Sequence, residues 1–178
     1  MRLGPKGAAL VKSFETLELE AYPDPGSPLG RACEARGLPM RDYRKVDGWE
    51  NLFGGPWTIG WGHTGRDVHP GLVWTEQQAE EAFVKDTDSA LKGVNAVLTV
   101  KLSQEQFDAV ASLVFNIGAG AFASSTILRL LNQRRFLEAA EQFPRWNKSQ
   151  GQVLNGLVRR RAAERELFLS GTDQTGSS

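Results

Sequence analysis

Glu15, Asp24 and Thr58 are the residues of this chain whose types and placement can do chemistry. Hydrolysis of a glycosidic bond needs a protonated acid for the leaving oxygen and a carboxylate on the other face of the sugar. The two carboxyls must sit in environments that keep them in different protonation states. Glu15, expected on the last turn of a short helix, suits the acid. The partial negative charge of a helix C-terminus disfavours a carboxylate there, and burial beside Phe14 acts in the same direction. Asp24 lies in the turn Pro23-Asp24-Pro25-Gly26 and suits the ionised partner that orients or deprotonates water. The Thr58 hydroxyl can hold that water as a second partner. None of this requires a metal or an organic cofactor. Cys33, His63 and His69 have no spacing that resembles a zinc motif.

The elements that must position these residues follow from the apolar pattern. Pro5 suits a first helical turn, and Ala8, Leu10, Val11 and Phe14 give an apolar stripe, which predicts a helix over about residues 5–16. Leu19 to Tyr22 alternates like a short strand. Residues 25–56 hold Pro25, Pro28, Pro39 and Pro56 and few periodic apolar positions. So long a connection is functional or carries structure of its own, with helical turns expected over Ala32–Arg36 and Asp47–Leu52. Trp57 to Gly62 reads as a strand. Beyond it the chain is helical. Thr75 with Gln78 and Ser103 with Gln106 are capping boxes that open a long helix and a central, strongly apolar one. Further helices are expected near 124–133, 136–142 and 157–169, with a frayed tail over Gly171–Ser178.

Bulk properties set limits. The 178 residues suit one domain or two lobes. Lys plus Arg and Asp plus Glu are both 21, so nothing in the balance demands a nucleic acid or an anionic membrane. Four arginines between Arg159 and Arg165 form the one basic cluster, without the interleaved aromatics of a nucleic-acid binder. A lone cysteine forms no intrachain disulfide. The N-terminus does not read as a signal peptide, and no stretch reaches the length of a membrane span. Synthesis in the cytoplasm is therefore expected.

Several motifs carry a resemblance. Phe14-Glu15-Thr16-Leu17, Tyr22-x-Asp24, Trp57-Thr58-Ile59-Gly60-Trp61-Gly62-His63-Thr64, Phe115-Asn116-Ile117-Gly118, Arg145-Trp146-Asn147-Lys148 and Gly156 through Arg161 with Glu164 resemble the phage-type lysozymes of glycoside hydrolase family 24. The likeness runs from about residue 5 to 170. The family pattern is Glu, eight residues, Asp or Cys, five residues, Thr. Glu15 and Asp24 meet the first spacing. Residues 25–57 separate Asp24 from Thr58, far more than five, so a segment is inserted in the loop. Either it leaves Asp24 and Thr58 adjacent in space, or Asp42, Asp47 or Glu50 within it takes the place of Asp24.

The resemblance implies an α+β, mostly α, lysozyme-like fold. A β-lobe over about 17–74 and a helical lobe of 1–16 and 75–170 would form one domain around a peptidoglycan-binding cleft. It implies an endolysin muramidase that hydrolyses the β-1,4 bond between N-acetylmuramic acid and N-acetylglucosamine and so lyses the host cell. Glu15 would be the general acid, Asp24 would support the attacking water and Thr58 would position it. Asn116, Ser112 and Trp57 are the expected substrate contacts, although a tryptophan is also ordinary core material. His63 is expected to pair with Asp86, and Arg160 to steady Glu15 in opposition to burial, unless the arginines are simply a solvated face. Implied partners are peptidoglycan and a membrane-lesioning holin, with no nucleic acid, no stable membrane insertion and a monomeric state. Two other readings stay open: a catalytically inactive peptidoglycan-binding module, should the insertion part Asp24 from Thr58, and a lytic transglycosylase, in which the muramoyl 6-hydroxyl attacks.

Overall fold

A computed structural model describes residues 1–149 and 151–172; the tail expected to fray lies outside them beyond Thr172. In chain order the elements are α1 Pro5–Phe14, β1 Glu18–Pro23, α2 Pro28–Glu34, β2 Trp57–Gly60, β3 His63–Thr64, α3 Glu76–Val97 and α4 Gln104–Ile117. They continue with α5 Ala119–Ala123, α6 Thr126–Asn132, α7 Phe136–Ala140, β4 Lys148–Ser149, β5 Gln152–Val153 and α8 Asn155–Ser170. Short 3₁₀ turns cover Met40–Lys45, Trp49–Asn51 and Phe143–Arg145. The chain is mostly helical with small antiparallel sheets, an α+β arrangement. It divides into two compact units, one of Glu15–Asp86 and one of Met1–Phe14 with the chain from Thr87 onward.

In the Glu15–Asp86 unit, β2 is the centre of a three-stranded antiparallel sheet ordered β1-β2-β3. Ala21, Ile59 and Val68 form its buried face, joined by Trp57, Leu72 and Trp74. The first turns of α3 pack here too. Ala79 is fully buried, and its methyl and the Trp74 ring crowd Gly60. The inserted segment has a core of its own, built from Leu29, Cys33, Tyr43 and Val46 with Leu38, Met40 and Trp49 around it. Trp57 packs against both cores, with its ring edge-on to Tyr43 at 5.0 Å. Ser27 caps α2 by accepting from Gly30 N, and Pro28 follows at the first helical position, where its missing N–H costs nothing.

In the other unit α4 is the central helix, buried from Gln106 to Val114. Around it lie Leu91, Val94, Phe122, Ile127, Leu131, Phe143 and Phe168. Both capping boxes close. Ser103 Oγ accepts from Gln106 N while Gln106 Oε1 accepts from Ser103 N, and Thr75 and Gln78 make the same pair of bonds at the head of α3. Helix α4 ends at Gly118, whose φ of 85° suits a residue without a Cβ. At the start of α1 the carboxylate of Asp108 accepts from Gly4 N at 2.7 Å and Gly7 N at 3.0 Å. It thereby satisfies amides that a helix start leaves unpaired.

Asp108→Ala would strand those donors in a nearly dry site. The expected loss is about 2–3 kcal/mol of unfolding free energy in urea titration; a loss under about 0.5 kcal/mol would show that water substitutes freely for the carboxylate.

Candidate active site

The site is built on the pairing of β1 with β2. Tyr22 stands opposite Thr58, and Pro23 opposite Trp57. Side chains alternate along a strand, so Ile59 goes into the core while Thr58 faces the other way, beside Tyr22 on one flank and Thr64 on the other. Asp24 follows directly on Pro23, the last paired residue of β1, which stands opposite Trp57, the neighbour of Thr58. The excursion through residues 25–56 thus returns the chain beside its starting point. Glu15 is the first residue beyond α1 and is half-buried.

Tyr22 is the residue that links them, and its role was not legible from the motif alone. Burial pushes its phenol above the ordinary range; the Thr58 side chain acts against burial, and the charges of Glu18 and Glu15 raise it further. The phenol therefore stays protonated, in contact with Thr58 and within the field of Glu15. The signal that could have found it is the strand alternation, which requires a partner opposite Thr58.

Asp24 is held by its backbone. Its N–H donates to Gly54 O at 2.9 Å, and its carbonyl accepts from Ser27 N at 3.0 Å and Ser27 Oγ at 2.6 Å. A Cβ on Gly30 would lie 2.1 Å from that same carbonyl oxygen. Only glycine permits this approach of α2 to the Asp24 peptide. Of the acids in the insert, Asp42 is paired with Lys45, while Asp47 and Glu50 are exposed. Trp57 is half-buried and occupied with packing.

His63 Nδ1 lies 2.7 Å from Asp86 Oδ2, and Nε2 lies 3.2 Å from Asp67 Oδ2. Burial pulls the imidazole pKa down, but the two carboxylates outweigh it, so the net shift is upward from 6.5. Asp67 moves down, chiefly through its own backbone hydrogen bond and then through His63. The ring also packs at 5.2 Å from Trp74. This is a bracing arrangement, with both imidazole nitrogens engaged.

In the helical unit, α8 turns charged side chains inward. Glu164 is fully buried, and its Oε1 accepts from Ser112 Oγ at 2.7 Å, Arg161 at 2.8 Å and Arg160 Nε at 3.2 Å. Burial raises Glu164, and Arg161, Ser112 and Arg160 oppose it; burial lowers Arg161. Arg160 also donates to Ser112 O and lies 5.7 Å over the Phe14 ring. Two expectations change here. Ser112 is fully buried with its hydroxyl given to Glu164, so it has none to offer a sugar. Arg160 and Arg161 are buried, so of the three consecutive arginines only Arg159 is on a solvated face. Asn116 is exposed. Its Oδ1 accepts from Arg161 at 3.0 Å, which leaves the amide N–H groups as its free donors. It lines a cavity of about 410 Å³ with Ile117, Trp146, Lys148, Leu154 and Leu157. Among the described residues, no group of three or more His, Cys, Asp or Glu is placed to hold a metal ion.

His63 stabilises the fold through its charged form, so its contribution is full below about pH 6.5 and is lost as pH rises through the higher folded value. On the acid side, the Asp67 part is lost as pH falls through that residue's depressed value. Melting of wild type and His63→Gln should therefore differ most near about pH 5.5 and converge by about pH 9; a gap independent of pH would refute a charged imidazole. Gly30→Ala should displace Asp24 and cut activity more than about tenfold while most secondary structure by circular dichroism persists; full activity would show that Asp24 tolerates the shift.

Comparison with known proteins points in one direction. The profile of the family described as phage lysozyme matches residues 33–164, a span that includes Thr58 and begins after Glu15 and Asp24. The endolysin of Bacillus phage PZA is 41% identical over 99% of this chain. The chain spans 58% of that relative's length, and 57% of the endolysin of Bacillus phage B103. The endolysin of Salmonella phage P22 is 34% identical over 96% of this chain and 99% of its own. Among solved structures, the muramidase domain of SpmX from Asticaccaulis excentricus superposes with a TM-score of 0.73 at 33% identity, covering 94% of this chain and 97% of that one. A point mutant of P22 lysozyme gives 0.71 at 33%, covering 95% and 99%. With the family profile matching most of its length and a relative matched nearly end to end, this chain belongs to the phage lysozyme family.

Proposed function

We propose that this chain is an endolysin muramidase, a single lysozyme-like domain that hydrolyses the β-1,4 bond between N-acetylmuramic acid and N-acetylglucosamine in peptidoglycan. The observation that carries this reading is the β1–β2 register. It pairs Tyr22 with Thr58, and Pro23, the residue before Asp24, with Trp57 despite the insertion, while Glu15 acts electrostatically on the same tyrosine. The names of the relatives, lysozyme, endolysin and muramidase domain, point the same way.

Glu15 donates its proton to the glycosidic oxygen as the C–O bond to the anomeric carbon breaks. A water held between the Asp24 carboxylate and the Thr58 hydroxyl attacks that carbon from the opposite face, and its proton passes to Asp24. This gives inversion. Tyr22, protonated and next to Thr58, keeps the threonine hydroxyl in one orientation. Asn116 offers its amide donors to a carbonyl of the substrate, such as an N-acetyl group, because Arg161 holds the amide oxygen. His63 and Asp86 brace the unit that carries these groups, Arg160 braces the helical unit through Glu164 and Ser112, and Trp57 supports Thr58 from the core side. No bound cofactor is needed.

Among the described residues, no helix is long and apolar enough to cross a membrane. In this reading a monomer made in the cytoplasm reaches the wall after a holin opens the membrane, and the host cell lyses.

Glu15→Gln should lower release of reducing ends from purified sacculi by about 10²–10⁴-fold with the melting temperature unchanged. Mass spectrometry of the wild-type products should show reducing muramic acid ends. Full activity in Glu15→Gln would overturn the acid assignment, and 1,6-anhydro ends would replace water with the muramoyl 6-hydroxyl as the attacking group.

A further inference from the structure

The inserted segment ends on a side chain for which packing has no use. Phe53 is 69% exposed, and of the Phe, Tyr and Trp side chains among the described residues it alone stands mostly in solvent. A single exposed apolar residue is ordinary. What separates Phe53 is how firmly its backbone is held and what holds it. Leu52 N donates to Trp49 O at 3.0 Å, Phe53 O accepts from Leu29 N at 3.0 Å, and Gly54 O accepts from Asp24 N at 2.9 Å. Three successive residues are thus tied down, the middle one to the fully buried Leu29 of the insert's core and the last to the Asp24 peptide itself.

The two glycines that follow complete the ledge. A Cβ on Gly54 would lie 2.7 Å from the Trp57 ring and 3.2 Å from the Leu29 side chain. A Cβ on Gly55 would lie 2.9 Å from the tip of the Phe53 ring. The tip of the Phe53 ring therefore lies against Gly55, and most of the side chain is open to solvent. An aromatic face carries partial negative charge, and its edge partial positive. A pyranose ring offers the complement, a flat array of weakly positive C–H groups.

We infer that Phe53 is a sugar-stacking residue: its ring takes the apolar face of a pyranose in the same glycan strand, next to the linkage that Asp24 serves. This rests on the muramidase reading above. It also gives the insertion a purpose, since the insert's core holds up the ledge and its backbone fixes both Phe53 and Asp24.

The test is steady-state kinetics on suspended, purified sacculi. Phe53→Ala should raise apparent KM roughly five- to tenfold, with kcat within about twofold and the melting temperature unchanged. Phe53→Trp should restore KM, and Phe53→Leu, which is apolar without a π face, should not. An unchanged KM in Phe53→Ala, a full recovery in Phe53→Leu, or a Phe53→Trp variant no better than Ala would each overturn the inference. Glu15→Gln in the same assay should lose kcat and keep KM; should it keep kcat, the acid assignment fails while the Phe53 series still decides the stacking.

Discussion

The pairing of Tyr22 with Thr58 across β1 and β2 is the constraint on which the candidate site depends. A strand has a side-chain period of two, so a slip of one residue would turn Thr58 into the core and Ile59 out to solvent. The buried pair Ala21 and Ile59 makes that slip expensive. The irregularity between Glu18 and Tyr22 absorbs the mismatch upstream and leaves the pairing intact where it matters. Glu15, Tyr22, Asp24 and Thr58 all lie in one compact unit, so their mutual geometry is set by one sheet and its immediate loops.

The insertion between Asp24 and Thr58 stabilises this pairing instead of disturbing it. A loop that wandered through solvent would impose only closure entropy, which grows slowly with length. This one builds a core around Leu29, Cys33, Tyr43 and Val46. That core is shared at one edge with the sheet through Trp57. Helix α2 approaches the Asp24 carbonyl closely enough to require Gly30, and Ser27 binds the same oxygen. The insert thereby acts as a clamp on the residue that precedes it.

The buried charges of α8 follow another logic. Glu164 would be costly to bury alone, but two arginines and Ser112 converge on it. Such a cluster adds little net stability over an apolar one and is severely destabilising when broken. Its output here is orientation, because Arg161 reaches on to Asn116 and fixes which end of that amide is free.

Much of the helical framework was legible in the chain itself. Capping boxes at Thr75 and Ser103 are local patterns closed by residues three apart, and the apolar run of α4 could only be central. The pattern around Glu15, Asp24 and Thr58 was visible too, as was the break in its spacing. What local pattern could not settle were contacts made across the chain. Ser112 has the same formula whether it faces a sugar or a buried glutamate, and only its partner 52 positions away decides between them. Arg160 and Arg161 read as a cationic face because the sequence puts Glu164 three and four residues on but does not show that packing buries all three side chains together. The approach of Gly30 to Asp24 and the exposure of Phe53 depend on how the insert's small core closes. Sequence by itself determined the elements and the chemical candidates, since propensity, capping and side-chain type are short-range properties. Tertiary structure alone decided which candidates meet and which are buried, since burial and pairing are set by residues distant along the chain.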